Sequence, residues 1–294
     1  MHRHCRRSFL AGLASVAAFS RASAAPSADE RLKEATKRLA SIEAREGGRL
    51  GVFVRDTGTG STLAHRADER FPMCSTFKLL ASAAVLKRVD QGAERLDRMI
   101  AYGPSDLLEY APIAKTHVAQ GGMTLAEACA AAIDWSDNTA ANLILQEIGG
   151  PAGFTQFARS LGDSVTRLDR NEPSLNTAIP GDERDTTSPR AMAEDMRRVL
   201  IGDVLSETSR RQLTAWLIDD KVGDKRLRAG LPAAWRIGDK TGSGDHGTTN
   251  TIAIIWPPER APIIATVYYT GSSAPMDARN AVHKEIGGLI AETF

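Results

Sequence analysis

The chain contains a serine followed three residues later by a lysine, in the stretch Ser75-Thr76-Phe77-Lys78. A mostly apolar run from Leu79 to Leu86 comes next, and the pattern predicts a buried helix over residues 75–89. Residues three apart lie on one face of a helix, so the lysine amine can reach the serine oxygen. The stretch therefore offers a nucleophile with a candidate base. Alone it is weak, because a capping serine and a solvent-exposed lysine produce the same pattern.

Three further short motifs follow in order along the chain. Ser136-Asp137-Asn138 precedes a segment with helical spacing, Glu172-Pro173-Ser174-Leu175-Asn176 lies in a long polar segment, and Lys240-Thr241-Gly242 ends a segment with strand spacing. Each has an ordinary explanation, such as a helix cap or a solvated loop acid. Together they add a second hydroxyl, a carboxylate, two amides and a second amine. Each motif is weak alone, and their occurrence together in this order strengthens the reading of Ser75 and Lys78 as a nucleophile and its base.

Hydrophobic spacing predicts the elements that must position these motifs. Helices are expected at residues 28–46, 75–89, 124–133, 137–148, 151–161, 189–199, 206–217 and 276–291. Strands are expected at residues 50–54, 61–65, 234–241, 250–256 and 262–269. Strands at both chain ends with helices between them predict an α/β (α+β) fold. Its antiparallel sheet would be built from both chain ends, flanked by terminal helices, with an all-helical insertion domain.

The same pattern divides the chain into domains. Residues 25–66 and 219–294 are expected to form the α/β domain, and residues 67–218 the all-helical domain. Within the helical domain, the segment 168–187 is polar, lacks periodicity and is longer than an ordinary connection, so it is either functional or mobile. Arg170 and Asp185 can pair across its neck, although most surface charges are simply solvated.

Residues 1–24 have the features of an export signal. Arg6-Arg7-Ser8-Phe9-Leu10 precedes a short apolar run through Phe19, and Ala22-Ser23-Ala24 offers a small-residue cleavage site. The paired arginines resemble the twin-arginine type, with an ordinary secretory signal as the alternative. The apolar run is too short for a permanent bilayer span. The sequence thus predicts a periplasmic or secreted protein that is not attached to a membrane after signal removal.

Charge and cysteine content exclude several functional classes. Residues 1–24 hold four arginines and no acids, so their removal changes the net charge from +1 to −3. No basic stripe is left for nucleic acid. Cys74 and Cys129 do not make a disulfide framework, and the sequence has no C-x-x-C or H-E-x-x-H motif to hold zinc. We therefore expect no metal, no cofactor and no nucleic-acid partner.

The four motifs, in this order, make the chain resemble the class A serine β-lactamases. The resemblance covers essentially the whole chain after the signal, including Tyr110 and the run Asp137-Asn138-Thr139-Ala140-Ala141-Asn142. It implies the fold shared by serine β-lactamases and D,D-peptidases. It also implies a monomeric hydrolase whose small-molecule partners are β-lactams, that is, penicillins and cephalosporins, and which confers resistance to them.

The resemblance assigns a role to each motif residue. Ser75 is the nucleophile, and the backbone N–H groups of Ser75 and Ser243 form the oxyanion hole. Ser136 passes a proton to the β-lactam nitrogen, while Lys78 and Lys240 surround these hydroxyls with positive charge. The substrate-binding residues implied by the resemblance are Tyr110, Asn138, Lys240, Thr241, Ser243 and Arg226.

Glu172 and Asn176 are the residues that would turn acylation into turnover. A carboxylate that holds a water together with the Asn176 amide is a suitable general base for hydrolysis of the acyl-serine. Deacylation by Glu172 is the firmer expectation, whereas either Lys78 or Glu172 can take the proton during acylation. The resemblance also implies a cis peptide bond between Glu172 and Pro173, which proline permits.

The chain departs from the family pattern in two places. Many relatives bind the substrate carboxylate with an arginine on the strand after the Lys-Thr-Gly motif, where this chain has Thr249. Arg226 matches the position of a substitute in other members, and the alternative is an exposed arginine within Lys225-Arg226-Leu227-Arg228, in which Arg228 has no matching role.

The second departure concerns the cysteines. Cys74 directly precedes the nucleophile, as in certain carbapenem-hydrolysing relatives, but the residue that would bridge to it is Gly244. Cys129 likewise faces Ser82, where some relatives carry its cysteine partner. We therefore expect both thiols to be free and buried.

Two other functions share part of the motif set. A D,D-peptidase acting on cell-wall peptide has the serine, the lysine and the Lys-Thr-Gly motif, but it gives no reason for Glu172 and Asn176. A β-lactam sensor that stays acylated would normally need a membrane anchor or a fused partner. Many turnovers of a chromogenic cephalosporin would separate a hydrolase from both alternatives.

Overall fold

The structure is a computed structural model that describes residues 1–2 and 26–294. The predicted export signal, residues 1–24, lies outside the described residues except for its first two. Within the described part of the chain, no helix is long and apolar enough to cross a membrane.

The predicted elements are present, with small shifts at their ends. The strands are β1 (Arg49–Asp56), β2 (Thr62–His65), β3 (Phe71–Pro72), β4 (Met99–Ala101), β5 (Gly122–Thr124), β6 (Thr186–Thr187), β7 (Arg236–Gly244), β8 (Thr248–Trp256) and β9 (Ile263–Thr270). The α-helices are α1 (Ala28–Glu46), α2 (Phe77–Asp90), α3 (Ala114–His117), α4 (Leu125–Asp134), α5 (Asn138–Glu147), α6 (Gly150–Ser160), α7 (Pro189–Leu200), α8 (Glu207–Ile218), α9 (Leu227–Gly230) and α10 (Met276–Thr293).

A five-stranded antiparallel sheet forms the middle of the fold, with the strand order β2-β1-β9-β8-β7. Its central pairing joins the two ends of the chain, because β1 pairs with β9 in a register that sets Val52 opposite Val267. The sheet predicted from both chain ends is therefore confirmed. The strand β7 lies at one edge of this sheet. That edge carries the Lys240-Thr241-Gly242 motif, so the motif is accessible from the side.

The two faces of the sheet bury two different cores. Along β1, Val52 and Val54 belong to the core under the terminal helices α1 and α10, whereas Phe53 belongs to the core of the helical part. Such alternation is what a strand covered on both faces requires. In α1 the predicted apolar stripe is confirmed, since Leu39 and Ile42 are buried against the sheet.

The helix α2 lies at the centre of the helical part. Every residue from Phe77 to Leu86 is buried, and the helix packs against α4, α5, α6 and α8. A helix surrounded on all sides needs an apolar run and not a stripe, which explains the sequence after Ser75. The helical part also contains two short ribbons, β3 with β6 and β4 with β5, which the sequence did not predict. Strands of two or three residues are too short to leave a periodic pattern.

Candidate active site

A cavity of about 620 Å³ opens beside the free edge of β7. It lies between the turn before α2, the start of α5, the loop before α9 and the segment 168–187. The predicted site residues that line it are Ser75, Tyr110, Ser136, Asn138, Asn176, Arg226, Thr241 and Ser243. Three further predicted residues are buried behind its wall, namely Lys78, Glu172 and Lys240. The structure thus brings the four sequence motifs to one place.

Ser75 lies in a short 3-10 turn, Cys74–Thr76, that leads directly into α2. The helix therefore begins two residues later than predicted, and the serine side chain does not cap it. Its Oγ instead donates a hydrogen bond to Glu172 Oε1 at 3.3 Å, and the residue is 7% exposed. The serine is therefore held at the cavity wall by a carboxylate and not by the backbone of its own helix.

Lys78 is a fully buried lysine in the first turn of α2. Its Nζ lies 3.0 Å from Glu172 Oε1 and donates to Ser136 O at 2.8 Å and Asn138 Oδ1 at 2.7 Å. A longer contact of 3.4 Å reaches Ser136 Oγ. Burial lowers the pKa of Lys78, while the charge of Glu172 opposes that shift. Lys78 thus contacts the Ser136 hydroxyl and the Glu172 carboxylate, and that carboxylate in turn accepts from Ser75.

Glu172 precedes Pro173 through a cis peptide bond, as the resemblance implied. The Asn176 side chain donates from Nδ2 to Glu172 Oε2. Asn142 holds the glutamate backbone from the other side, because its amide accepts from Glu172 N and donates to Glu172 O, both at 2.9 Å. The sequence reading assigned no role to Asn142. Its spacing could have indicated a role, because Asn142 lies four residues after Asn138 and therefore on the same face of α5.

The neck of the segment 168–187 is closed by Arg170 and Asp185. Arg170 Nε donates to Asp185 Oδ2 at 2.6 Å, and the Asp185 side chain is 1% exposed. The other carboxylate oxygen of Asp185 accepts from the backbone N–H groups of Asp169 and Arg170. Arg170 also donates to Thr177 Oγ1 at 2.9 Å, which ties the neck to the turn that carries Asn176. A small set of charged contacts therefore orders this segment.

Ser136 takes a left-handed backbone conformation, with φ of +57°. The buried Asp137 beside it caps α5 by accepting from Ala140 N at 2.9 Å. Its other oxygen accepts from the N–H groups of Ile113 and Ala114. The aspartate of the motif thus serves as a scaffold that aims its neighbour into the cavity. Sequence reasoning recognised the cap but missed the link to residues 113–114.

Tyr110 forms an exposed wall of the cavity on the side of Ser136. The residue is 48% exposed, and its hydroxyl donates to Trp135 O at 3.1 Å. Its backbone carbonyl accepts from Asn138 N at 3.0 Å. The aromatic ring therefore has a fixed attachment at both ends, while its face stays open to the cavity.

Lys240 is fully buried on β7, and its Nζ donates to Thr241 O at 3.1 Å. Burial lowers the pKa of Lys240 to about 7, whereas the charges of Asp220 and Asp239 raise it. Ser243, further along the same strand, is exposed at the cavity. The edge strand thus lines the cavity with the Thr241 and Ser243 hydroxyls, and the Lys240 amine is buried behind them.

Arg226 lies immediately before α9 and is 6% exposed. Its Nη1 donates to Gly242 O and Asn250 O at 2.8 and 2.7 Å, and its Nε donates to Asn280 Oδ1 at 3.0 Å. Its Nη2 donates to Ser243 Oγ at 2.7 Å. Burial lowers the pKa of Arg226 to about 10, so the guanidinium stays charged at neutral pH. It reaches the cavity next to Ser243 and also ties β7 to β8.

Two residues near Arg226, Thr249 and Arg228, do not line the cavity and have contacts of their own. Thr249, at the position of the missing strand arginine, is fully buried and contacts His283. Arg228 was expected to have no role in the substrate-carboxylate site, and it does not line the cavity. Its Nη2 donates to Asp239 Oδ1 at 2.6 Å, and Asp239 is fully buried. Arg228 therefore compensates a buried carboxylate and is unsuitable as a neutral control for Arg226.

Cys74 and Cys129 are free and buried, as expected. A Cβ at Gly244 would lie 2.7 Å from Cys74 Sγ, so the thiol fills the space that the glycine leaves. Burial raises the pKa of the Cys129 thiol to about 12 and raises the pKa of Cys74 still further. Among the described residues, no group of three histidine, cysteine or acidic side chains could hold a metal ion.

The chain matches known proteins over nearly its whole described length. A family model described as "Beta-lactamase enzyme family" matches residues 31–294. The chain is 50% identical over 260 residues to β-lactamase AST-1 of Nocardia asteroides, which covers 88% of this chain and 84% of the relative. It is 48% identical over 258 residues to β-lactamase CTX-M-97 of Escherichia coli, with 88% of each covered. An ancestral class A β-lactamase structure superposes with a TM-score of 0.87 at 63% identity, covering 88% of this chain and 100% of the other.

Proposed function

Because the chain belongs to the class A β-lactamases and so hydrolyses β-lactams, we propose that it opens the rings of penicillins and cephalosporins through an acyl-serine intermediate. A water held by Glu172 then releases that intermediate. The observation that carries the proposal is the buried pair of Lys78 and Glu172, 3.0 Å apart, with Ser75 Oγ 3.3 Å from the same carboxylate oxygen. The nucleophile Ser75 and the amine of Lys78 thus both lie close to Glu172 Oε1, so the two groups that can take the serine proton are next to each other.

Acylation begins when Ser75 Oγ attacks the β-lactam carbonyl carbon and gives its proton to a base. The hydrogen bond from Ser75 Oγ to Glu172 Oε1 favours Glu172 as the first acceptor. The alternative base, Lys78, needs its neutral form, which burial favours and the charge of Glu172 opposes. In the Glu172 route, the Lys78 ammonium remains beside the developing serine oxyanion and stabilises it.

Two backbone donors stabilise the carbonyl oxygen as it gains charge. We assign them to the N–H groups of Ser75 and Ser243, which both line the cavity, on a turn and a strand that pack against each other. The position of β7 at the sheet edge supports this role, because alternate N–H groups of an edge strand have no strand partner. The charge of Lys240 and the hydroxyls of Thr241 and Ser243 then hold the substrate carboxylate.

The β-lactam nitrogen needs a proton when its bond to the carbonyl carbon breaks. Ser136 is the proposed donor, and Lys78 Nζ at 3.4 Å from its Oγ can resupply the proton. Glu172, 3.0 Å from Lys78 Nζ, can then return to Lys78 the proton that it took from Ser75. Asn138 and Tyr110 border the same wall and are proposed to hold the acyl side chain of the substrate. The Asn138 amide has its oxygen occupied by Lys78, so its NH₂ group is the part that can donate to a substrate carbonyl.

Deacylation requires a water activated next to the ester. Glu172 Oε2 accepts from Asn176 Nδ2, while Asn176 Oδ1 is buried and has no hydrogen-bond partner within residues 1–2 and 26–294. A buried polar atom of this kind is where a water that completes the hydrogen bonds is expected. Glu172 would take a proton from this water as it attacks the acyl-serine carbonyl, and would give that proton to Ser75 Oγ, the leaving group, when the ester bond breaks.

A turnover assay with a chromogenic cephalosporin tests the proposal. We expect many equivalents of product per equivalent of protein, and no change after chelation of metal ions. A single stoichiometric burst followed by silence would contradict hydrolysis and would indicate a sensor that stays acylated. Turnover of a cell-wall peptide ester in preference to the β-lactam would indicate a D,D-peptidase.

We also propose that the protein is exported to the periplasm, acts there as a monomer and confers resistance to β-lactams. Fractionation of cells that produce the full chain tests its location. Replacing Arg6 and Arg7 by lysine should block export if the signal is of the twin-arginine type. Light scattering of the purified protein would test the monomer.

A further inference from the structure

A second cavity, of about 590 Å³, lies beside the neck of the segment 168–187 and shares no lining residue with the substrate cavity. Its charged lining residues are Arg70, Arg159, Arg167 and Asp169. The lining thus carries three positive charges and one negative charge, whereas the whole chain has a net charge of only +1. None of the reaction steps described above uses this cavity.

Two of the arginines are held by neutral oxygen atoms. Arg70 Nη1 donates to Val165 O at 2.8 Å, and Arg159 Nη1 donates to Asp163 O at 2.6 Å and to Thr166 O at 2.7 Å. Within residues 1–2 and 26–294, every hydrogen bond recorded for these two side chains leaves from Nη1 and ends at a carbonyl or hydroxyl oxygen. Such bonds fix a guanidinium group without cancelling its charge. Each arginine is therefore anchored to the turn 163–166 and keeps its Nε and Nη2 donors for another acceptor.

The third arginine directly follows this turn. Arg167 Nε and Nη2 donate to the two carboxylate oxygens of Asp169 at 3.0 and 2.6 Å. The side chains of this pair are 40% and 23% exposed, and ion pairs of exposed residues are weak. An anion in the cavity can therefore share Arg167 with Asp169. Guanidinium groups from three separate parts of the chain, residue 70, α6 and residue 167, thus meet around one turn.

Two buried aspartates lie close to this turn but do not line the cavity. Asp163 Oδ1 accepts from Val165 N at 2.6 Å and from Thr166 N at 3.1 Å, so backbone N–H groups use its charge. Burial raises the pKa of Asp195 to about 9, so this acid is neutral at pH 7. Among the described residues that line the cavity, Asp169 is the only acid.

We propose that the cavity binds a phosphoryl group, carried either by a small soluble polyphosphate or by the headgroup of a lipid. A planar carboxylate matches one guanidinium, whereas the terminal oxygens of a tetrahedral phosphoryl group accept from several directions at once. Arginine stays charged at any physiological pH, so binding does not depend on a titration. The cavity volume lies within the ordinary range of small-ligand pockets, about 300–1,000 Å³. The inference does not rest on the proposed function.

Isothermal titration calorimetry with inorganic pyrophosphate tests the site. At low ionic strength we expect one equivalent to bind with a Kd below about 1 mM, and the affinity should fall as salt is added. Arg159→Gln and Arg167→Gln should each weaken binding about tenfold, because each removes one charge-assisted contact. Arg167→Gln loses only a surface ion pair, so this variant decides if Arg159→Gln does not fold.

The matched control is Arg211→Gln, which removes the same charge. Arg211 is exposed on α8, pairs with Glu207 and does not line the cavity. Its loss should change the Kd of pyrophosphate by less than about twofold. Equal weakening in all three variants would mean that pyrophosphate responds to overall charge, and it would overturn the proposal.

The substrate cavity is also positively charged, and the experiment must separate the two cavities. Its lining includes Lys221, Lys225 and Arg226. Pyrophosphate at the proposed site should not compete with a chromogenic cephalosporin, and its Kd should stay within about twofold in Arg226→Ala, since distant sites act independently. Competitive inhibition with a Ki equal to the calorimetric Kd, or loss of binding in Arg226→Ala, would overturn the proposal.

Hydrogen exchange locates the bound anion. Leu168 and Asp169 line the cavity directly after Arg167, at the start of the segment 168–187. An anion that joins Arg167 to the other two arginines should restrain this part of the chain, so the amides of residues 163–169 should exchange more slowly when pyrophosphate is bound. Unchanged exchange of these amides at saturation would mean that the anion binds elsewhere, and it would overturn the proposal.

Vesicles of phosphatidylcholine that contain phosphatidate distinguish the two sources of the phosphoryl group. Binding of pyrophosphate without sedimentation of the protein with these vesicles would assign the site to a soluble polyphosphate. Sedimentation that is lost in Arg159→Gln and Arg167→Gln, without binding of pyrophosphate, would assign it to a lipid headgroup. If the unchanged protein bound neither probe, the cavity would not be a phosphoryl site.

Discussion

The site has two halves that the fold holds in different ways. The acylating half, defined as Ser75, Lys78, Ser136, Lys240 and Ser243, lies on or directly beside α2, α5 and β7. The hydrolytic half, Glu172 and Asn176, lies on the segment 168–187, whose regular structure is one 3-10 turn and the two residues of β6. The first half is attached to buried helices and a sheet strand, whereas the second half is held by two buried leucines, Leu168 and Leu175, and by polar contacts such as the Arg170–Asp185 pair. The hydrolytic half can therefore be weakened while the acylating half remains in place.

The largest effect is expected from Ser75→Ala, because both halves act on an acyl group that this serine carries. Turnover should fall by a factor on the order of 10⁶, as for loss of a catalytic nucleophile. The structure shows no capping bond from this side chain, so the free energy of unfolding should change by less than about 1 kcal/mol. Steady-state kinetics and circular dichroism measure the two quantities. A folded variant with substantial turnover would mean that another group is the nucleophile.

Glu172→Ala should separate the two halves. Deacylation should slow by about 10²–10⁴-fold, the usual contribution of a general base. Acylation should continue more slowly through Lys78, so the acyl-serine accumulates. Mass spectrometry after mixing with a penicillin should show the mass of the intact drug added to the protein. Unimpaired turnover without an adduct would contradict the proposed water activation.

The comparison also explains what the sequence could predict. Helices, strands and the sheet built from both chain ends follow from hydrophobic period, because apolar packing produces that period. Three of the motifs located the acylating half for the same reason, since Ser75 and Lys78 lie at the start of a buried helix and Lys240 lies within a buried strand. The hydrophobic pattern also predicted the ends of α1 and α10 to within a few residues.

The polar scaffold was harder to predict. Asn142 holds the Glu172 backbone, and Asp137 links the start of α5 to residues 113–114. Arg228 pairs with the buried Asp239, although its neighbours made it look like part of an exposed basic run. Contacts of this kind join residues far apart in sequence and have no period. They become visible only when the chain is folded.

Arg226→Ala should weaken substrate capture by the acylating half. Charge-assisted hydrogen bonds are worth about 1.5–3 kcal/mol, so kcat/KM should fall roughly ten- to a hundredfold. Lys225→Ala is the matched control, because Lys225 lines the same cavity but is exposed and pairs only with the exposed Asp277. Its loss should change kcat/KM by less than about threefold. Equal losses in both variants would mean that general positive charge at the rim, and not the guanidinium, binds the carboxylate.

Asp185→Ala should loosen the hydrolytic half without touching its catalytic groups. The change leaves Arg170 without its buried partner and frees two backbone N–H groups. Removing one partner of a buried pair costs about 3–5 kcal/mol, an upper figure here because Arg170 is partly exposed. We expect deacylation to slow about tenfold and acylation to stay within about twofold, measured by pre-steady-state kinetics.

The control for Asp185 is Glu183→Ala in the same segment. Glu183 is exposed, and no ion pair of its side chain is recorded among the described residues. This variant should leave both rates unchanged, since exposed charges contribute little. A fall in acylation as large as the fall in deacylation for Asp185→Ala would show that the two halves are not separable.

The smallest effect is expected where the two halves touch. Gly244 on β7 has no side chain, and a Cβ there would lie 2.5 Å from Asn176 O and 2.7 Å from Cys74 Sγ. The same Asn176 carbonyl accepts from Asp245 N at 2.9 Å, so a methyl group must push the turn of the hydrolytic half away from the strand. Gly244→Ala should slow deacylation a few-fold and leave acylation nearly unchanged. Gly103→Ala is the control, because a Cβ there meets no atom within 4 Å. If both glycine variants kept the wild-type deacylation rate, close contact with β7 would not be needed to hold Asn176 and Glu172 in place.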